Sequence, residues 1–111
     1  EGALYHSGDT AFFDGFTEIG ARLGPIDWAM LPIGAYEPRW FMRSQHINPA
    51  EAVAAHQALG ALTSVAIHWG TFQQADEGMN DPAEALARAR AQRGVAAEAF
   101  VVLDNGQTLA R

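Results

Sequence analysis

Four short apolar runs, separated by stretches whose apolar residues recur at helical spacing, limit what this chain can fold into. The runs are residues 3–7, 28–33, 63–67 and 100–103. Between the first two, Phe12, Phe16, Ile19 and Leu23 fall on one helical face, and Gly24-Pro25 supplies a stop and a breaker. Asn48-Pro49-Ala50-Glu51 then places a capping residue, a proline at the first helical position and a glutamate at the third. Val53, His56 or Gln57, and Leu59 continue that helix to Gly60. Asp81-Pro82-Ala83-Glu84 repeats the same start, with Gly94 as the stop after about Arg93. Asp104-Asn105-Gly106 reads as a hairpin turn into a last short strand. The expected order is β-α-β-α-β-α-β-β. This predicts an α/β layer, a mixed sheet with helices on one face. The other sheet face then needs a further layer, from more chain or from a partner.

Two of the strand ends carry chemistry. The run Ser64-Val65-Ala66-Ile67 finishes in His68-Trp69-Gly70-Thr71-Phe72, and Leu4-Tyr5-His6-Ser7-Gly8 finishes in Asp9-Thr10. Active sites of layered α/β folds gather where strands give way to loops. A single histidine here reads better as a satisfied core residue, and it is the second junction that makes Asp9 and His68 a pair. Residues 35–47 have neither strand nor helix periodicity and are rich in large side chains, which suits a loop serving a site. His46 lies near its end, at the same sheet edge. His6 is expected to be structural, His56 partly exposed and inert, and Trp69 to pack beside the site. A Gly- and polar-rich loop is expected over 73–81.

Composition removes several functions. With 49% hydrophobic and 18% charged residues, the 111-residue chain is globular rather than disordered. There is no cysteine, so disulfides and thiolate metal sites are excluded, and a transition-metal site must use His and carboxylate ligands. The net charge of −6, without a basic stripe, argues against nucleic acid. All seven basic residues are Arg, which reads as the coding bias of a GC-rich, bacterial gene. No apolar run is long enough to span a bilayer and no signal peptide is visible. The compartment stays open, with the cytoplasm or a membrane periphery favoured. Asp9 and His68 are two ligands, where a catalytic zinc takes about three and a structural one four.

Four strings carry a resemblance that bears on this shortfall. They are Ser7-Gly8-Asp9-Thr10, Pro32-Ile33-Gly34-Ala35-Tyr36-Glu37-Pro38-Arg39-Trp40-Phe41-Met42, Gln45-His46-Ile47-Asn48-Pro49-Ala50-Glu51-Ala52-Val53 and Ile67-His68-Trp69-Gly70-Thr71-Phe72. In this order they resemble the C-terminal half of a metallo-β-lactamase-fold hydrolase. More narrowly, they resemble the N-acyl-phosphatidylethanolamine-hydrolysing phospholipase D group and its bacterial relatives. The first string is weakly specific, and the second is far more so.

The resemblance implies that residues 1–111 form the second αβ layer of an αβ/βα sandwich. It implies two zinc ions, with iron or manganese as alternatives, held in part by an N-terminal half that carries a His-x-His-x-Asp-His motif and is absent from this chain. Asp9 then bridges both metals, and His68 is the last ligand of one. His46 contacts substrate or leaving group rather than metal. The implied reaction is hydrolysis of a phosphodiester of phospholipid-like character, with Asp9, His46 and His68 as the catalytic set. Arg39, Tyr36 and Trp40 are substrate-binding candidates beside His46. Arg39 either holds a phosphate oxygen or pairs with Glu37 or another acid. Trp40, Phe41 and Met42 are expected to pack against the fold, the other reading being an acyl groove or a lipid contact. The alternatives are a sugar-phosphate lactonase or nuclease of the same superfamily, or an inactive half-domain serving a structural or interaction role. A homo-oligomer is compatible with either.

Overall fold

The computed structural model describes residues 2–70 and 77–110. Four strands form one sheet in sequential order: β1 (Leu4–His6), β2 (Trp28–Pro32), β3 (Thr63–Ile67) and β4 (Phe100–Val101). The helices are α1 (Gly15–Leu23), the single turn α2 (Arg39–Met42), α3 (Pro49–Leu59) and α4 (Asp81–Arg93). Each crossover between neighbouring strands contains a helix, and every strand pairing is parallel. The mixed sheet expected from the sequence is therefore corrected to a parallel one. The predicted hairpin strand after Asp104-Asn105-Gly106 would have supplied the antiparallel edge. Residues 104–107 instead close a turn through Gln107 N–H to Asp104 C=O, 2.9 Å, and no strand follows among the described residues.

The register sorts side chains onto two faces. Tyr5, Ala29, Ser64 and Phe100 share one row, and Leu31 and Ala66 the next. This face carries the core, where Phe16, Leu31, Ile33, Ile47, Val53, Leu59, Leu86 and Phe100 are buried against the helices. Removing that apolar area from water is the main source of stability. The alternate residues Trp28, Met30, Val65, Ile67 and Val101 stay partly exposed, and Leu4 is exposed. Parallel sheets normally have both faces covered. Here helices cover one, as the sequence predicts.

Helix α1 begins three residues later than its apolar spacing suggests. Phe12 and Phe13 lie before it, both partly exposed, with their rings against Phe16 at centroid distances of 5.6 and 4.7 Å. Gly20 sits where a Cβ would overlap the Leu59 backbone, so glycine is what lets α1 approach the end of α3. The two Asx-Pro-Ala-Glu starts behave differently. In α3, Asn48 Oδ1 accepts from Glu51 N–H at 2.8 Å and Glu51 Oε1 accepts from Asn48 N–H at 3.1 Å, a complete capping box. In α4 the capping position is Asn80, with no side-chain bond, and Asp81 turns back to accept from Gly78 N–H at 2.8 Å.

Candidate metal centre

The site assembles at the carboxyl end of the sheet. Past the formal strand ends the ladder continues, with Ser7 N–H donating to Met30 C=O and Ile33 N–H to Ile67 C=O, each 3.1 Å. This holds the segments leading to Asp9, Gly34 and His68 side by side. The C-terminal edge of a parallel sheet is where open α/β folds place ligands, because loops diverge there and leave a crevice. Gly8, at φ +62°, turns β1 sharply so that Asp9 faces back over the sheet edge. His6 fixes the same turn, its Nδ1 accepting from Gly8 N–H at 3.0 Å, which makes it structural as expected.

Asp9 and His68, widely separated in sequence, meet with His68 Nε2 3.1 Å from Asp9 Oδ1. His68 holds φ +62°, a left-handed conformation that costs a non-glycine residue free energy and gathers at functional sites. The ring of His46 lies over that of His68, centroids 5.5 Å apart and planes inclined by 17°. Nδ1 of each ring is buried with no hydrogen-bond partner among the described residues. Buried polar atoms are normally satisfied, so two unpartnered atoms on adjacent imidazoles set this edge apart from the packed core.

The donor set fits part of a metal site. Two donors about 2.0–2.1 Å from one tetrahedral ion stand ~3.3 Å apart, close to the Asp9–His68 separation. Oxygen and imidazole nitrogen together suit zinc, iron or manganese. Among the described residues no group of three or more His, Cys, Asp and Glu side chains is placed to hold an ion. Among the described residues, Asp9 and His68 are the Asp–His pair brought within reach of one ion.

The neighbouring candidates divide. Arg39 is engaged within the protein. Its Nη2 reaches Glu51 Oε1 at 2.7 Å, and its Nη1 donates to the carbonyls of Tyr36 at 3.3 Å and His46 at 3.1 Å. Its acid partner is thus Glu51 rather than Glu37. Tyr36 is buried, and its hydroxyl is pushed up to about 12 by burial and by the carboxylates of Glu77, Asp81 and Glu37, against a smaller opposing effect of Arg88. It is a neutral phenol at physiological pH. Trp40 is 86% exposed and Phe41 65%, stacked edge-on at 5.7 Å, so the expected packing of these two rings against the fold is not found. Pro38 and the helix-forming residues after it wind a single turn that lifts them into solvent, while Met42 is half-buried. Trp69 packs against the core beside His68. Thr71, Phe72 and much of the predicted 73–81 loop lie outside the described residues.

One residue escaped the sequence reading. Glu77, half-buried, accepts from the backbone N–H groups of Ala35 at 2.6 Å, Tyr36 at 3.2 Å and Glu37 at 2.9 Å. No spacing rule joins it to residues so far upstream. The one available signal was Gly34-Ala35-Tyr36, a turn with no side chain of its own to satisfy it.

The chain is similar to several known proteins. Residues 1–69 match the family model described as Beta-lactamase superfamily domain. N-acyl-phosphatidylethanolamine-hydrolyzing phospholipase D 1 of Caenorhabditis elegans is 59% identical over 70 residues, covering 62% of this chain and 20% of the relative. A UPF0173 metal-dependent hydrolase of Pyrobaculum aerophilum is 39% identical over 93 residues, covering 81% of this chain and 37% of the relative. The solved structure of Igni18, a metallo hydrolase from Ignicoccus hospitalis, superposes with a TM-score of 0.66 at 25% identity, over 96% of this chain and 40% of that one. The chain therefore spans well under half the length of each of these relatives. A parallel sheet with an Asp–His pair at its carboxyl edge, a family match over more than half the chain, and a metallo hydrolase of the same architecture lead to one assignment: the chain belongs to the beta-lactamase superfamily domain family.

Proposed function

We propose that this chain is the C-terminal half of a dinuclear metal-dependent hydrolase that cleaves a phosphodiester of phospholipid-like character. The observation that carries the reading is the Asp9–His68 pair at 3.1 Å, with the His46 ring laid over it and both imidazole Nδ1 atoms unpartnered among the described residues. Asp9 would serve as the carboxylate shared by two ions, its negative charge offsetting both, and His68 would be a ligand of one of them. An N-terminal half bearing the His-x-His-x-Asp-His motif completes the site, and the partly exposed sheet face is where that half packs. Two zinc ions, when bound, supply an activated water and neutralise charge on the phosphoryl oxygens.

The residues of this chain do the rest. Asp9 and His68 fix where the ions sit. His46 holds a proton beside them for the leaving alkoxide, a task imidazole suits near neutral pH. The support for a phospholipid-like substrate is the string from Pro32 to Met42 and the name of the Caenorhabditis elegans relative. Among the described residues no third ligand joins Asp9 and His68, which favours one corollary: the 111 residues alone turn nothing over.

The test is metal content and substrate choice in the full-length protein that carries this chain. About two zinc ions per molecule, with zinc-dependent hydrolysis of a lipid phosphodiester and none of a sugar-phosphate lactone, is the expected result. Lactone cleavage without phosphodiesterase activity overturns the substrate, and a protein that binds no metal overturns the reading as a whole.

A further inference from the structure

The loop between β2 and α3 carries His46 and borders His68, and none of its residues from Glu37 to His46 is buried. Its first turn is held from outside. Ala35 takes φ +63°, a conformation uncommon for alanine, and the N–H groups of Ala35, Tyr36 and Glu37 converge on the Glu77 carboxylate. Three consecutive backbone donors around one anion form a nest, and charge-assisted bonds of this kind are about twice as strong as neutral ones. Glu77 is itself anchored at the start of α4, where Gly78 N–H donates to Asp81 Oδ2 at 2.8 Å and Gly78 C=O accepts from Asp81 N–H at 3.2 Å.

From the nest, contacts lead to both imidazoles. On one side, Gly34 lies so close to the His68 carbonyl that a Cβ there would overlap it, which ties the turn to the strained backbone of His68. On the other, Tyr36 C=O accepts from Arg39 Nη1, and the same nitrogen donates to His46 C=O. Arg39 is steadied by Glu51 Oε1, which also takes Asn48 N–H in the α3 capping box. The turn that Glu77 closes thus touches the backbone of His68 and is linked to that of His46 through Arg39.

We infer that Glu77 is a positioning residue, its carboxylate clamping the Ala35–Tyr36–Glu37 amides so that His46 and His68 keep their stacked arrangement at the metal centre. This rests on the proposed function for its effect on rate, and on geometry alone for its effect on the rings. Glu77 touches neither histidine directly and acts through the backbone.

The experiment replaces the carboxylate in the full-length protein and then returns it as a small molecule. Glu77→Ala is expected to shift the ring-proton resonances of His46 and His68 and to lower kcat roughly tenfold to a hundredfold, with bound metal unchanged. Acetate or formate, filling the emptied nest, restores both. Glu77→Gln keeps the volume but sets an amide N–H against a backbone N–H. It should shift the same resonances and not respond to acetate, and it decides the matter should Glu77→Ala fail to fold. Unmoved ring resonances in a folded variant overturn the inference. So do resonances in Glu77→Ala that neither carboxylate restores. A wild-type protein without metal-dependent hydrolysis refutes the proposed function, while the ring resonances still decide the role of Glu77.

Discussion

His56 and His68 carry the same side chain into two regions of the molecule with opposite results. His56 lies in α3 beneath the sheet, buried, with Nδ1 2.7 Å from the hydroxyl of fully buried Ser64 and its ring 5.6 Å from that of Phe100. Its backbone is helical, and its burial lowers its pKa below the usual 6.5. His68 stands past the end of β3 in a left-handed conformation, with Nδ1 unpartnered among the described residues and Nε2 facing a mostly exposed carboxylate. The helical layer has satisfied its histidine. The loop edge has left one strained and half-bonded. Strain and unmet bonding are what a packed core removes and what a ligand site keeps, so the comparison separates structural from functional histidines better than sequence position does.

If the comparison is right, substitutions on the two sides give different phenotypes. In the full-length protein, Asp9→Ala or His68→Ala should reduce hydrolysis by a thousandfold or more, on the order expected when an essential group is removed, and should lower bound zinc measured by elemental analysis. His46→Ala comes next, with a loss of about a hundredfold in kcat, in the range of general acid catalysis, and unchanged metal content. Metal loss there would make His46 a ligand. On the helical side, Ser64→Ala should leave metal and kcat alone. It should cost about 1–3 kcal/mol of unfolding free energy by orphaning His56 Nδ1, a change readable in denaturant melts. A loss of activity at unchanged stability would break the distinction.

The smallest effect is a pH dependence. Because burial lowers the folded-state pKa of His56, the unfolded chain takes up that proton first as pH falls. The stability His56 contributes is fully present above pH 6.5 and is lost as pH falls from there through the folded pKa. Unfolding free energy should decline more steeply with acid in the wild type than in His56→Gln. Equal slopes would mean that the ring is not held neutral by its surroundings.

What was legible in advance follows from how local each cause is. The capping box of α3 was readable because Asn48, Pro49 and Glu51 act within one turn, and β3 because Thr63 to Ile67 is a run of β-branched and small residues. The same motif at Asp81 located α4 and its glycine stop but not its cap, since the Asp81 carboxylate found Gly78 N–H, a partner that spacing does not reveal. His56 was expected to be partly exposed and inert. Helical periodicity placed it near the buried face, but only packing against β3 brought Ser64 to its ring. Trp40 and Phe41 were expected to be covered, and a single helical turn left them out in solvent.

The sequence by itself determined the four paired strands, the three longer helices, their order, and the two strand ends at which Asp9 and His68 appear, because periodicity, caps and turns are interactions between near neighbours in the chain. Only the tertiary structure decided that every strand runs parallel, that His46 stacks on His68, and that Glu77 closes the Ala35–Glu37 turn. Those contacts join residues far apart in the chain. They form only where burial of the common core offsets the entropy of bringing such segments together.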